Sequence, residues 1–372
     1  MRRRLSWMGQ RAPGDLAFAL LAVMVTVSVL VSPLPSRSLA ALPPLLAGLI
    51  LYCLLTRWPF TIVHLHWAWW GMILTGLAIC LLAPPATFPP NHVLFRWFPL
   101  WARLRPYLPD TFNENVVSGA LAVLLPFGVA RGVQSWRAGC RWGPQVLLAV
   151  IAAIPLGILA MSTSRGGYLA TAAALLILLG LLWPQLSRWV IPGVMIVALV
   201  AGTYIGWGVI ADALMTGQAT SGLDGRVEIW SRALMIIADF PFTGAGLGCF
   251  EPIVATLYPL FLAPQGTVAH AHNLFLQVAV DVGLPGLVAY LALLGLSFYA
   301  GGVAYRAFRS QGRRELALLS AACLGSLGGM CVQGLIDAVA WGNKGAFIPW
   351  VVLGLSVALY RFSQEEAKAN PC

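Results

Sequence analysis

The chain is 372 residues long, 59% hydrophobic and only 10% charged, with a net charge of +10. Soluble domains carry roughly 25% charged residues, so this composition cannot coat two or three water-facing globules. Most of its surface must face lipid.

The sequence reads as an all-α, polytopic integral membrane protein. A helix needs roughly 17–25 apolar residues to cross the hydrocarbon. Lipid also forces every backbone group to bond internally, so runs of that length are helices. About ten spans are predicted, near 16–31, 39–55, 67–82, 116–130, 146–161, 168–183, 190–210, 274–303, 316–335 and 347–359. The first follows Met1-Arg2-Arg3-Arg4. It is long for a signal-peptide core and no convincing cleavage site follows it, so it reads as a retained anchor. The last is short and contains Pro349. The 7 cysteines are dispersed without a C-x-x-C pair, which argues against a disulfide framework or a structural zinc site.

With both termini in the cytoplasm, 15 of the 23 Lys and Arg residues fall on inner segments and 8 on outer ones. That bias orients membrane proteins, and it explains the positive charge without a nucleic-acid partner. Residues 1–210 then form seven spans, with an outer loop at 84–115 dense in Pro, aromatics and Arg. Residues 211–273 form a large extracytoplasmic loop between spans seven and eight. Residues 274–372 form three further spans and a cytoplasmic tail, merely polar after Tyr360. Within the large loop, Trp230, Leu234 and Ile237 share one helical face, which predicts an interfacial helix lying on the membrane.

Three predicted outer features carry polar chemistry. Ser164-Arg165-Gly166 forms a tight turn whose glycine lets a phosphate approach the backbone; the plainer role of Arg165 is a headgroup anchor. Arg226 opens the interfacial helix, where a surface ion pair with Asp224 or Glu228 is the plainer role. The glycines of Gly244-Ala245-Gly246-Leu247-Gly248 lack the β-α-β context of a dinucleotide site. The third feature is His270-Ala271-His272-Asn273. Histidines at i and i+2 diverge on a helix and no carboxylate or Cys follows nearby, so no metal site is expected. Asn273, Gln277 and Asp281 form one helical stripe. Gln277 and Asp281 read first as bonds between helices, although a carboxylate inside a span is a functional candidate by default. Two arginines suit a bidentate grip on phosphate oxygens, and a neutral histidine can accept a hydroxyl proton.

His272-Asn273, nine residues and then Gly283-Leu284-Pro285-Gly286 resemble the H-[N/S/Q]-x9-G-x-x-G pattern of the O-antigen ligase and polymerase superfamily of bacterial membrane glycosyltransferases. Ser164-Arg165-Gly166, Asp224-Gly225-Arg226 with Trp230, and Pro241 to Phe250 are similar to that superfamily's successive blocks, in order. Asn113-Glu114-Asn115 is similar more loosely. The resemblance spans about 113–287. It implies transfer of a glycan from an undecaprenyl-diphosphate carrier to an acceptor hydroxyl, on a lipid or glycan, outside the cytoplasmic membrane and without metal or other cofactor. It implies catalytic roles for His272, as general base, and for Arg165 and Arg226, which hold the diphosphate. Ser164, Gly166 and Asn273 would adjoin the substrate, with Gln277, Asp281, Gly283 and Gly286 in support. The chain departs from the family in having about ten spans where twelve are common, and in carrying Asp281 where Glu is frequent. Ligation and polymerisation share donor and leaving group, so both readings stand. The alternative from another class is a small-anion transporter of the bicarbonate type. Such a carrier would place its site at the midplane, on broken helices. A non-catalytic scaffold is the third reading.

Overall fold

The computed structural model describes residues 12–87, 99–108, 113–139, 142–162, 164–185, 188–189, 192–193, 223–261, 268–342 and 345–369. These residues are mostly helical, with no strand among them. The elements are α1 (Asp15–Leu30), α2 (Pro35–Arg57), α3 (Ile62–Thr87), a short α4 (Pro99–Leu104) with a 3-10 turn, α5 (Glu114–Arg137), α6 (Trp142–Met161) and α7 (Arg165–Leu182). There follow α8 (Leu223–Asp239), α9 (Phe250–Leu257), α10 (Leu274–Ser310), α11 (Arg314–Gly334) and α12 (Phe347–Ala369). Eight of them, α2, α3, α5, α6, α7, α10, α11 and α12, are long and apolar enough to cross a membrane; α1 is apolar but has only 16 residues. The all-α polytopic reading therefore stands. Apart from residues 192–193, the expected span at 190–210 lies outside the described residues, as do residues 211–222 of the large loop.

Packing, not hydrophobicity, holds such a bundle together, because lipid is as apolar as leucine. The central helix α11 is the most enclosed span and lies against α7, α5, α10 and α12. Its approach to α7 depends on small residues. A methyl added at Gly325 would lie 2.6 Å from the Ala174 carbonyl oxygen, and one at Gly329 2.8 Å from that of Ala170.

One end of the bundle is defined by side-chain caps. Asn113 starts α5 by accepting from the Asn115 N–H, Ser164 starts α7 by accepting from Gly167, and Asn273 starts α10 by accepting from Phe275 and Leu276. Each cap satisfies a donor that the first helical turn leaves unpaired.

The helix α10 breaks at Gly283, whose φ of 73° and ψ of 174° are not helical. In an unbroken helix the Leu284 N–H would reach the Val280 carbonyl. Here Leu284 donates to the Pro241 carbonyl at 2.7 Å, and the Val280 carbonyl accepts from Ala245 at 2.7 Å. Pro285 has no N–H to offer the Asp281 carbonyl, which accepts from the Ser28 hydroxyl at 2.5 Å instead. The glycine-rich segment 241–249 thus replaces the bonds lost at the break. Contact is close enough that a Cβ at Gly244 (φ 71°) would sit 2.4 Å from the Asp281 carbonyl oxygen.

Two boundaries differ from expectation. The helix α3 runs through Pro84 and Pro85 to Thr87, so the outer loop begins later than residue 84. The polar tail after Tyr360 is helical to Ala369, and Pro349 sits in the first turn of α12, where a missing N–H costs nothing. The helix α8 is present, but its buried stripe is Ile229, Ala233 and Ile236, with Leu234 57% exposed. The buried face packs on α9 and Val280, so protein contact, not lipid alone, sets its rotation.

The break gives a stability prediction. Gly283→Ala forces a side chain into a left-handed conformation 2.6 Å from the Phe242 carbonyl oxygen, which should cost about 1–3 kcal/mol. The thermal midpoint in detergent is expected to fall by several degrees, whereas Gly71→Ala, with nothing within 4 Å of the added methyl, should leave it unchanged or raised. Equal midpoints for Gly283→Ala and the unsubstituted protein would show that the break is not required.

Candidate functional site

The capped end gathers the predicted polar residues. Arg165 is the first residue of α7, directly after its Ser164 cap. The Ser164 hydroxyl donates to Asn115 Oδ1 at 2.6 Å, tying this turn to the Asn113-Glu114-Asn115 segment. Arg165 itself is exposed. A methyl on Gly166 would lie 3.1 Å from Ile336 Cδ1, so the arginine turn abuts the segment that leaves α11.

That segment supplies a residue the motifs did not indicate. Asp337, 3% exposed, places Oδ1 3.6 Å from His272 Nδ1 and 3.7 Å from His270 Nε2. The two imidazoles lie with ring centroids 4.2 Å apart. The expectation that no carboxylate approaches these histidines is therefore corrected. Asp337 is 65 residues from His272 in sequence, and the turn after α11 returns it to the start of α10. One ligand atom from each of the three residues lies within 4.8 Å of the others, so the set could hold a divalent ion. The two nearby guanidinium groups oppose that occupant.

His272 is held in a left-handed backbone conformation, φ 47°, which is uncommon outside glycine and marks imposed strain. Its turn is clamped on both sides. The Trp230 indole donates to the His272 carbonyl at 3.3 Å, and the Ala271 N–H donates to Gln277 Oε1 at 2.7 Å. Asn273 adds a bond from its amide nitrogen to the Leu335 carbonyl at 3.0 Å. Gln277 then donates to Asp281 Oδ1 at 2.9 Å, Trp341 donates to Asp281 Oδ2 at 2.9 Å, and the Gly248 N–H donates to Asp281 Oδ1 at 3.3 Å. Asp281 is buried behind the cluster, and Gly283 and Gly286 shape the break beside it.

Arg226 lies in the first turns of α8. Glu228, its expected ion-pair partner, is engaged by Arg232 at 3.2 Å, while Arg226 Nε is buried with no hydrogen bond among the described residues. Burial lowers its pKa from the ordinary arginine value, Asp337 opposes that shift, and Arg165 adds to it. Both other charges are thus close enough to be felt. Burial pushes the His270 pKa down to about 4, helped by His272, resisted by Asp337 and helped again by Arg226. Asp337 is held below the usual carboxylate range. Burial pulls it upward, but His272, His270 and the Ala338 N–H outweigh that pull. Near neutrality the site holds a carboxylate, a neutral His270 and two guanidinium groups.

Beneath the cluster, Gln333 is 2% exposed and neither of its amide atoms has a hydrogen-bond partner among the described residues. It lines a cavity of about 20 Å³ with Asp337, Gly119 and Val339. A groove of about 310 Å³ continues from there between α3, α5 and the start of α12, sharing Val116, Ala120 and Gly345 with that cavity and lined otherwise by apolar groups such as Ile79, Leu82 and Phe347.

A bundle of membrane-length helices with an arginine–histidine–carboxylate cluster at one end defines a multi-pass membrane protein with a polar site among its helix ends. Residues 147–291 match the family described as O-antigen ligase, which shows the superfamily resemblance over the segment from α6 past the break in α10. Glycosyl transfer of the O-antigen ligase kind is the activity this match supports. Asp337 lies beyond the matched segment. No curated protein matches the chain.

The cluster makes stability depend on acidity. Folded His270 binds a proton more weakly than unfolded His270, so between pH 6.5 and about 4 the unfolded chain holds more protons and stability falls as pH drops. The thermal midpoint should decrease from pH 7 to about 4.5, and His270→Gln should lessen that decrease. An identical decrease in the variant would remove His270 as its source.

Proposed function

We propose that this chain transfers a glycan from an undecaprenyl-diphosphate carrier to an acceptor hydroxyl, on the outer side of the bacterial cytoplasmic membrane and without a metal. The observation that carries the reading is Arg226. It has a buried Nε without a hydrogen-bond partner among the described residues and stands within electrostatic reach of both Arg165 and Asp337. Two like charges held together in a partly dehydrated site favour a polyanion, and a diphosphate suits two guanidinium groups.

His272 presents Nδ1 to Asp337, which leaves Nε2 for the acceptor. Nε2 takes the hydroxyl proton as the acceptor oxygen bonds to the anomeric carbon. The bond from that carbon to the diphosphate oxygen breaks, and its electron pair leaves with undecaprenyl diphosphate, whose added charge Arg165 and Arg226 offset. Asp337 is a positioning residue. It orients the imidazole and stabilises the imidazolium that forms. The apolar groove next to the cluster suits the isoprenoid tail of the donor. The same groups serve a ligase or a polymerase of repeat units. A transporter is disfavoured because the polar cluster lies at helix ends, while buried Asp281 is fully engaged in internal hydrogen bonds.

Transfer of labelled glycan in proteoliposomes tests this reading. Arg165→Ala and His272→Ala should each lose about 10²–10⁴-fold in turnover while retaining the thermal midpoint, and Arg226→Ala should also be impaired. Asp337→Asn should lower kcat with little change in KM, because the imidazolium that forms in the transfer step loses its counter-charge. Chelator should change nothing. Full activity of all three alanine variants would overturn the assignment, and inhibition by chelator would install a metal on His270, His272 and Asp337.

A further inference from the structure

A second concentration of arginines lies at the opposite end of the bundle. The helix α7 starts at Arg165 and ends at Leu182, so its two ends are separated by roughly 27 Å at 1.5 Å per residue. At the far end, a pocket of about 290 Å³ is bounded by Arg137 at the close of α5, Leu181 and Leu182 of α7, Tyr305 and Arg309 of α10, and Arg314 with Leu318 of α11.

Its polar groups are fixed. The Arg137 guanidinium donates to the Leu182 carbonyl at 3.1 Å and lies 5.0 Å from the centre of the Trp183 ring. Tyr305 donates its hydroxyl to the Leu181 carbonyl at 2.5 Å and accepts from Arg309 at 3.0 Å. Each arginine keeps further N–H donors beyond these bonds. Among the described residues none of Arg137, Arg309 and Arg314 is in an ion pair, although neighbouring acids exist. Glu315 is taken by His66 and Gln134, and Glu366 by Arg313. The start of α11 also has no side-chain cap, so its first N–H groups add positive potential on the same side. Leu181, Leu182 and Leu318 give the pocket an apolar wall.

We propose that this pocket binds a phosphate group, and that its natural source is the headgroup of an anionic phospholipid in the leaflet opposite the Arg165–His272 cluster. Three guanidinium groups without carboxylates match the charge of the phosphate, and the leucine wall matches the first methylenes of the acyl chains. Basic pockets between membrane helices recognise lipid headgroups in this way. The site is independent of the transfer chemistry.

Native mass spectrometry of the full-length protein, with phosphatidylglycerol, phosphatidylcholine or inorganic phosphate added, tests the proposal. Phosphatidylglycerol should be retained in preference to phosphatidylcholine, and Arg309→Gln with Arg314→Gln should weaken that retention by roughly tenfold or more. Arg313→Gln, which breaks only the pair with Glu366, is the control and should retain lipid normally. Retention of inorganic phosphate equal to that of phosphatidylglycerol, and lost in the same double variant, would assign the pocket to free phosphate instead of lipid. Should the double variant fail to fold, Arg314→Gln alone gives the same reading at smaller amplitude. Equal retention of both lipids, or of phosphatidylglycerol by protein and variant alike, would overturn the proposal.

Discussion

The buried Asp281 carboxylate holds the functional end together. Its two oxygens receive Gln277 from the same helix, Trp341 from the segment after α11, and the Gly248 N–H from the glycine loop. A buried carboxylate is tolerated only with such bonds. Removing one partner of such a buried group costs about 1–3 kcal/mol. The residue therefore fixes three chain segments against one another. Each of those segments carries or clamps a site group: Gln277 holds the histidine turn through Ala271, Trp341 belongs to the turn segment that bears Asp337, and the glycine loop follows α8 with its Arg226. Displacing this carboxylate would loosen the whole cluster without touching any reacting atom.

The break at Gly283 serves the same end. A continuous α10 would have no free Val280 carbonyl to anchor the glycine loop, and that loop would lose its attachment to the bundle. Pro285 enforces the interruption by withholding an N–H, and Ser28 from α1 fills the place it leaves. Strain at His272 is then affordable because bonds from Trp230 and Gln277 fix the backbone on both sides.

Much of this was readable in the amino-acid order, and the exceptions have physical causes. Lipid-length apolar runs announce helices directly, since hydrocarbon admits few other backbones. Ser164-Arg165-Gly166, Arg226 and His272 signal themselves by being polar at the ends of such runs. Asp337 does not, because its neighbour in space is 65 residues away and nothing local marks it beyond being a lone acid in a short connection between two spans. On α8 the apolar residues lie on two faces: Ile229, Ala233 and Ile236 pack on α9, while Leu234 stays exposed, and sequence periodicity does not say which face meets protein. The glycines of 244–248 could be excluded from nucleotide binding without revealing that they mend a broken helix.

The two arginine clusters show how one residue type is put to different uses along a membrane protein. At the capped end, Arg226 is partly buried and shares its surroundings with Asp337 and two histidines, so charge, proton acceptor and counter-charge are held in one place. At the other end the pocket arginines are exposed, Arg137 leans on a carbonyl and an aromatic ring, and the neighbouring acids Glu315 and Glu366 are taken up by His66 and Arg313. Guanidinium groups alone bind; they cannot take a proton from a hydroxyl, because they stay protonated throughout the physiological range. On the proposed function, the capped end sets an imidazole beside two guanidinium groups, a combination that the described lining of the arginine pocket lacks.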